Sequence, residues 1–580
     1  MGYRYIVLVE RDAWSDQEPI TCEKAAILRS IGMRHCLTIG RAALFVSQET
    51  PVIQLSDESA VIGHLFSNDG SPVQKPQQVP ALPGHQRLDH DLLEQFWGEY
   101  ILIQASGEQD GGLQVLRDPS GAVPCVYALA DGGGFFTSDI SIATRLGVYH
   151  RQIDWDFIAH ALAHPHLKAR RTALAGITEL LPGWSLALRD AHVTTQQQWC
   201  PWSFASVEHR HRDSHDAAAE VRSAVASVTK AWADLDRSIL LELSGGLDSS
   251  IIAACLRESN ADVTCATLVT PVPGTDERHY AASMAGHLKA PLVTEALDIE
   301  LVLFDLAPPP SAVTPRLAML QYAVDQAMAH AAATHGVSSI FSGGGGDTVF
   351  GYMSNAAPAA DAFREHGIRF GLAAIRDLSE LHQCTVWKAG RLTLRKLWRG
   401  ARRTAPDHSF LIPSRCSSLA DQHPWSLAPV GAYPGDRERI MSLAATQIFR
   451  DGAPRGIDYW LRLPLLSQPV MEACLKVPTW MCISGGENRA VARAAFADVL
   501  PSEILYRRSK GSFTHYCGAV YQRQKHRMRD FLVSGELQAR GFLDVDALNA
   551  FFARNLGPRD ASFMRIFDLC MIENWIRHQS

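Results

Sequence analysis

Two glycine-rich segments hold the residues best suited to chemistry. The first, Ser244-Gly245-Gly246-Leu247-Asp248-Ser249-Ser250, follows a short apolar run at 238–243 and leads into a stretch, 249–258, that reads as a helix. Gly245 and Gly246 remove side chains, so backbone N–H groups can close on phosphate oxygens. Ser249 and Ser250 open the following helix, whose N-terminus favours an anion, and Ser244 adds a third hydroxyl donor. Asp248 conflicts with an anion site unless a cation lies between carboxylate and phosphate. Mg²⁺ resolves the conflict, because it takes one or two carboxylates together with phosphate oxygens. The loop lacks the Gly-Lys-[Ser/Thr] ending of a Walker A motif, so γ-phosphate transfer is not its natural chemistry. The second segment, Ser342-Gly343-Gly344-Gly345-Gly346-Asp347, repeats the logic. Its glycines admit a ligand against the backbone, and Asp347 offers a second carboxylate to the same metal. Alone, such a turn says little; paired with the first loop it says much more.

Both loops must be held at strand ends. From about residue 212 apolar runs at 238–243, 263–269 and 337–341 alternate with helical stretches at 249–258 and 276–288. That rhythm predicts a parallel sheet with helices on both faces, whose ligands bind at the carboxyl ends of the strands. Residues 1 to about 205 read differently. Short strand-like runs at 6–9, 100–104, 113–117 and 123–129 are punctuated by Asp118-Pro119-Ser120-Gly121 and Asp131-Gly132-Gly133-Gly134, which suggests a β-rich sandwich. The proline- and glutamine-rich stretch 74–83 reads as an exposed loop. Beyond about residue 355 the chain reads as mostly helical. A run at 388–403 carries Lys388, Arg391, Arg395, Lys396, Arg399, Arg402 and Arg403 without an acidic residue, and it reads as one solvated helix face.

Composition narrows the classes. The chain has 580 residues, enough for two or more domains, and a net charge of −6 that leaves no electrostatic footprint for nucleic acid. Twelve cysteines form no C-x-x-C pair, and Cys255, Cys265 and Cys474 sit in apolar runs as buried small hydrophobes. His209, His211 and His215 lie among charged residues and read as a solvated linker, not a metal site. Trp199 and Trp202 read as packing at the domain junction. No long uncharged apolar stretch predicts a membrane span, and the expected location is the cytoplasm.

The two loops resemble those of the asparagine synthetase family, which includes the β-lactam synthetases and the lasso-peptide macrolactam cyclases. The resemblance continues in order along the chain. Arg117-Asp118-Pro119-Ser120-Gly121, Phe135-Phe136-Thr137-Ser138-Asp139 and Leu181-Pro182-Gly183 are similar to the family's N-terminal amidotransferase-like domain. Arg462-Leu463-Pro464-Leu465-Leu466-Ser467 resembles its Arg-Val-Pro-Phe-Leu-Asp segment. Arg507-Arg508-Ser509-Lys510-Gly511-Ser512-Phe513 resembles its late Arg–Lys–Phe element. The resemblance implies an α+β amidotransferase-like sandwich domain over 1–205, then an α/β parallel-sheet PP-loop ATP pyrophosphatase (synthetase) domain over 212–580 with a helical C-terminal part. It implies ATP and Mg²⁺ as cofactors. Asp248 and Asp347 would hold the metal, and Ser244, Gly245, Gly246, Asp248, Ser249, Ser250, Ser342 and Gly343 the nucleotide. Lys510 would be catalytic alongside the two aspartates, neutralising charge as pyrophosphate leaves.

Three departures separate relatives. Gly2 stands where glutamine-dependent members use a cysteine nucleophile, so glutamine hydrolysis is not expected. Gly344 stands where small-molecule ligases place a glutamate or tyrosine, which removes a side-chain base and leaves volume; Tyr352 or Glu380 are the candidate bases. Thr348 stands where amide-forming relatives usually carry Glu. The pattern Gly343-Gly344-Gly345-Gly346-Asp347-Thr348-Val349-Phe350 is similar to that of lasso-peptide cyclases. The implied activity is ATP-dependent isopeptide formation on a precursor peptide, supplied by a leader-binding protein and a leader peptidase in antibiotic biosynthesis. The alternative is an ammonia-dependent asparagine synthetase or a β-lactam-synthetase-like amide ligase.

Overall fold

Period-two alternation organises the first half of the fold. The computed structural model describes residues 2–10, 22–79, 88–106, 112–189, 191–272, 276–315, 319–401, 405–416, 421–450, 455–507, 513–557 and 560–579. Along Tyr5–Val9 (β1), Tyr5, Val7 and Val9 face one apolar cluster and Ile6 and Leu8 another. The strands that follow are Met33–Ile39 (β2), Ala42–Ser47 (β3), Val52–Ser56 (β4), Ser59–Ser67 (β5), Phe96–Ala105 (β6), Leu113–Arg117 (β7), Val126–Ala130 (β8), Gly133–Thr137 (β9), Thr178–Glu179 (β10), Trp184–Arg189 (β11) and His192–Gln197 (β12). They form two six-stranded antiparallel sheets, β10-β8-β9-β1-β3-β2 and β12-β11-β7-β6-β5-β4. Val7, Leu44 and Val46 of the first sheet meet Ile62, Ile101 and Val115 of the second. The run expected at 123–129 becomes a strand only from Val126. The carbonyls of Val123 and Pro124 instead accept from Arg117 Nε (2.9 Å) and Tyr5 Oη (3.0 Å).

The sandwich is covered on both outer faces. Ile6, Leu8 and Phe135 pack with Phe157 and Leu162 and with Phe567 and Trp575 near the C-terminus. Phe66, Trp97 and Leu116, behind the second sheet, pack with Val225 and Trp232 of helix Ser214–Asp236 (α1) and with Leu241. Each such buried aliphatic side chain contributes roughly 2 kcal/mol. His215, expected in a linker, stands in the first turn of α1, which Asp213 caps by accepting from His215 N at 2.8 Å. Trp199 and Trp202 both reach Trp425, the first edge-on at 5.3 Å between ring centres and the second through Nε1 to its carbonyl at 2.7 Å.

The second half is a parallel sheet. Ser238–Glu242 (β13), Asp262–Val269 (β14), Leu292–Ala296 (β15), Ser339–Ser342 (β16) and Trp460–Arg462 (β17) lie in the order β15-β14-β13-β16-β17, every neighbouring pair parallel. Ile239, Leu240 and Leu241 are consecutive and fully buried, as a strand covered on both faces requires. β17 lies inside the region expected to be helical; three residues give too short a run to stand out. The helices that bear on the site are Leu247–Leu256 (α2), Met319–His335 (α3), Gly346–Val349 (α4), Ile368–Leu381 (α5), Val386–Arg399 (α6) and Ala490–Ala495 (α7). Among the described residues no helix is long and apolar enough to cross a membrane.

One buried cation ties the halves together. Arg462, 1 % exposed, donates from Nη1 to Glu99 Oε2 on β6 (2.5 Å) and to Tyr3 Oη (2.9 Å). Its Nε and Nη2 donate to the two carboxylate oxygens of Asp236, at the end of α1, at 2.9 and 3.1 Å. The guanidinium also lies 4.0 Å from the Trp232 ring centre. Burial alone would lower its pKa, but Asp236, Tyr3 and Glu99 outweigh that and hold it well above its ordinary value. Arg462→Leu leaves the buried Asp236 carboxylate without its cation and Glu99 with Arg450 alone, at 3.4 Å, and is expected to cost on the order of 3–5 kcal/mol. Adding Glu99→Gln should recover part of that loss. Urea unfolding midpoints check both; a midpoint unchanged by the single substitution rules the tie out.

Candidate active site

Strand order decides where the loops meet. β14 lies on one side of β13 and β16 on the other, so the chain reverses its winding direction between β13 and β16. A crevice opens at the carboxyl ends of two such strands, and the two glycine loops leave those ends side by side. Their backbones touch. A Cβ on Gly343 would lie 2.8 Å from Ser249 N, and one on Gly346 would lie 2.5 Å from Asp248 Cγ. Gly245 has φ of +68°, and a Cβ there would come within 2.4 Å of Tyr280 Cβ. Side chains at these positions would force the loops apart.

Between the loops lies a cavity of about 800 Å³. Of the residues expected to bind nucleotide, Ser244, Gly246, Asp248, Ser249, Ser342 and Gly343 line it. Gly245 shapes the turn from behind. Ser250, also expected to bind nucleotide, is fully buried behind the cavity, and its hydroxyl has no partner among the described residues. The Ser249 hydroxyl also closes the loop on itself, lying 3.3 Å from both Ser244 N and Gly246 O. Lys510, the expected catalytic lysine, lies outside the described residues, as do Arg508, Ser509, Gly511 and Ser512.

Asp248 and Asp347 converge on one cation. Arg489 Nη1 donates to Asp248 Oδ1 and Oδ2 at 2.9 and 3.0 Å and to Asp347 Oδ1 at 2.7 Å. Carboxylate oxygens from two loops around a single positive centre form the donor set that Mg²⁺ takes. Arg489 is held in place by an unusual backbone. Its φ is +56°, and the Asn488 side chain fixes that turn, with Oδ1 accepting from Arg489 N (3.0 Å) and Met353 N (3.1 Å). Arg493 donates to Asn488 O at 2.9 Å, and burial together with Arg489 lowers its pKa. Arg507 braces the first loop through Gly245 O at 3.1 Å, pairs with Glu277 and stacks 3.8 Å from the Tyr280 ring centre. Arg489 Nε, Arg493 Nη1 and Arg507 Nε are buried without a partner among the described residues. Three arginines on the cavity wall, Arg489, Arg493 and Arg507, fit a polyanion such as a triphosphate.

The remaining candidates separate. Tyr352 lines the cavity, with the Arg489 guanidinium 5.5 Å from its ring centre. Glu380 instead pairs with Arg376 at 3.1 Å, just outside. The Thr348 hydroxyl lies 3.0 Å from Thr446 Oγ1 and 3.3 Å from Ser442 Oγ, so it anchors α4 to the helix Pro434–Thr446. Gly344 does not open on empty space: a Cβ there would meet Leu463 Cδ2 at 3.2 Å. Sequence reasoning missed Arg489, Arg493 and Asn488. The one local signal was the pair Gly485-Gly486 ahead of Glu487-Asn488-Arg489.

The asparagine synthase family model matches residues 220–577, well over half of the chain. The protein belongs to the asparagine synthase family. The family's chemistry is ATP-dependent amide formation, and the crevice between the two loops is the candidate site for it in this chain. No curated protein matches the sequence. Two solved structures share a partial likeness. One is a glutamine phosphoribosylpyrophosphate amidotransferase from B. subtilis complexed with ADP and GMP, at 12% identity and a TM-score of 0.22, covering 50% of this chain and 65% of that one. The other is a structure of the allosteric regulatory enzyme of purine biosynthesis, at 11% identity and a TM-score of 0.22, covering 51% and 80%. This chain therefore spans about two thirds of the first structure's length, and scores so low carry no argument about its fold.

A divalent ion held by Asp248 and Asp347 would compete with Arg489 for their carboxylate oxygens. Arg489→Met is expected to raise the affinity of the nucleotide-free protein for Mn²⁺ by a factor on the order of ten, read by electron paramagnetic resonance titration. An unchanged affinity would mean that the two aspartates do not form the metal's donor set.

Proposed function

We propose that the chain closes a macrolactam on a peptide, in the manner of the lasso-peptide synthetases within its family. A side-chain carboxylate of Asp or Glu in a precursor peptide attacks the α-phosphate of ATP and pyrophosphate leaves; the peptide's own N-terminal amine then attacks the acyl-adenylate, expelling AMP and giving up a proton as the amide forms. Mg²⁺, when bound, neutralises phosphate charge. The chain's own residues do the rest. Asp248 and Asp347 present carboxylates to the metal, the backbone of Gly246 and Gly343 lets phosphates approach, and Arg493 and Arg507 bring positive charge to the cavity wall. Lys510, by resemblance, supplies the charge beside the departing pyrophosphate. Holding both reacting groups of one peptide in a single cavity supplies much of the acceleration.

The observation that carries this reading is at the N-terminus. Gly2 N donates to Ile457 O at 3.2 Å, and a Cβ on Gly2 would lie 2.8 Å from Gly456 O. The position that resemblance reserves for a cysteine nucleophile is packed against main chain and has no room for one, which points to an amine that is not released from glutamine. A cavity of about 800 Å³ suits a peptide segment beside a nucleotide. A precursor peptide is therefore the proposed partner, with a leader-binding protein and a leader peptidase supplying it.

Two experiments test the proposal. With Mg²⁺·ATP and a leaderless peptide bearing a free N-terminus and an internal Asp or Glu, the product should lose the mass of one water while AMP and pyrophosphate accumulate. Asparagine formed from aspartate and ammonia, with no reaction on peptides, would favour the small-molecule alternative instead. Asp347→Ala should lower AMP formation by about a hundredfold or more while leaving the melting temperature unchanged, because Asp347 is half-exposed. Normal AMP yield from that variant would overturn the metal assignment.

A further inference from the structure

The cations at 388–399 lie on an exposed helix face, as their composition suggests, but they share it with large apolar side chains. Thr385 caps α6 by accepting from Lys388 N at 3.2 Å, and Ala389 and Thr393 turn inward. Trp387, Leu394 and Trp398, spaced seven and four residues apart, share the opposite side of the helix. They are 88 %, 65 % and 87 % exposed. Two tryptophans open to solvent on one ridge are costly for a surface that meets only water. Lys388, Arg391, Arg395 and Arg399 flank this ridge, and none has an ion-pair partner among the described residues; Lys396, turned toward the protein, pairs with Glu438. No acidic residue occurs from Gln383 to Ala405. The preceding helix α5 adds Ile368 and Leu372, one turn apart and 72 % and 56 % exposed.

We propose that α6 is a peripheral membrane-binding element that seats the protein on an anionic lipid surface. The charge argument is local: a chain of net charge −6 concentrates unpaired cations on one helix, where they complement anionic headgroups. The chemical argument is the ridge. Tryptophan offers an apolar ring with a polar N–H, which suits the boundary between headgroups and acyl chains, and a helix with such a ridge beside a cationic flank lies in that plane. An acidic protein helix would satisfy the cations but gives no reason for two tryptophans to stand almost fully exposed beside them. The element sits close to the active site. Leu381, His382 and Gln383, between α5 and α6, line the catalytic cavity, so attachment through α6 would hold the cavity near the membrane surface.

Co-sedimentation of the full chain with vesicles tests this. Wild-type protein should partition onto mixed phosphatidylcholine/phosphatidylglycerol vesicles, bind pure phosphatidylcholine at least about tenfold less, and be released by rising salt. The variants Trp387→Gln/Trp398→Gln and Arg391→Glu/Arg395→Glu should each reduce partitioning about tenfold or more while keeping the wild-type melting temperature. Should the tryptophan variant fail to fold, the arginine variant still decides. Equal binding to neutral and anionic vesicles, or wild-type binding by the folded arginine variant, overturns the proposal. So does an oligomer, seen by light scattering, that the tryptophan variant makes monomeric without any vesicle binding by the wild type; that would make the ridge a contact between copies of this chain.

Discussion

The approach of two backbones governs the site. Where the first loop turns into α2, it lies so close to the second loop that a single Cβ on Gly343 or Gly346 would collide with Ser249 N or Asp248 Cγ. That contact is possible because β13 and β16 are hydrogen-bonded neighbours whose connections run to opposite sides of the sheet. It places Asp248 and Asp347, from loops far apart in sequence, around one positive centre. Nothing in either loop alone could do this. The sheet supplies the distance, the glycines supply the clearance, and the carboxylates follow.

Arg489 shows what such a constraint costs. Two carboxylates brought together at the edge of the interior repel one another unless a cation intervenes. The chain provides its own from Arg489, which lies 241 residues beyond Asp248 and is held in a left-handed turn by Asn488. The two carboxylates are thus neutralised by the chain's own guanidinium, which a metal ion bound between them would have to displace.

Much of this was legible in the sequence, and the exceptions have physical causes. The two loops could be read because a strand followed by consecutive glycines and an aspartate is a local pattern. The strand at 123–129 was misplaced by three residues because the carbonyls of Val123 and Pro124 are taken by Arg117 and Tyr5, side chains that no local pattern connects to them. Ser250 reads as a donor because hydroxyls at a helix start often are; the first turn of α2 sets it fully buried, one position behind the cavity wall that Ser249 lines. Arg489 was invisible because its role depends on a tertiary contact and on a backbone angle that arginine rarely adopts. The run from Lys388 was read by its charge, and counting charges hid the period that sets Trp387, Leu394 and Trp398 on one side.

The back of the second β-sheet has a consequence of a different kind. Phe66, Trp97 and Leu116 belong to the same apolar cluster as Val225, Trp232 and Leu241, so the interior of the ligase half is completed by the sandwich. A gene fragment encoding only the ligase half would yield a chain with an uncovered oily face and with Arg462 deprived of Glu99 and Tyr3. Inheritance of the N-terminal half therefore does not depend on its performing a reaction. The side chains that face α1 are needed there for their shape, whatever else the N-terminal half does.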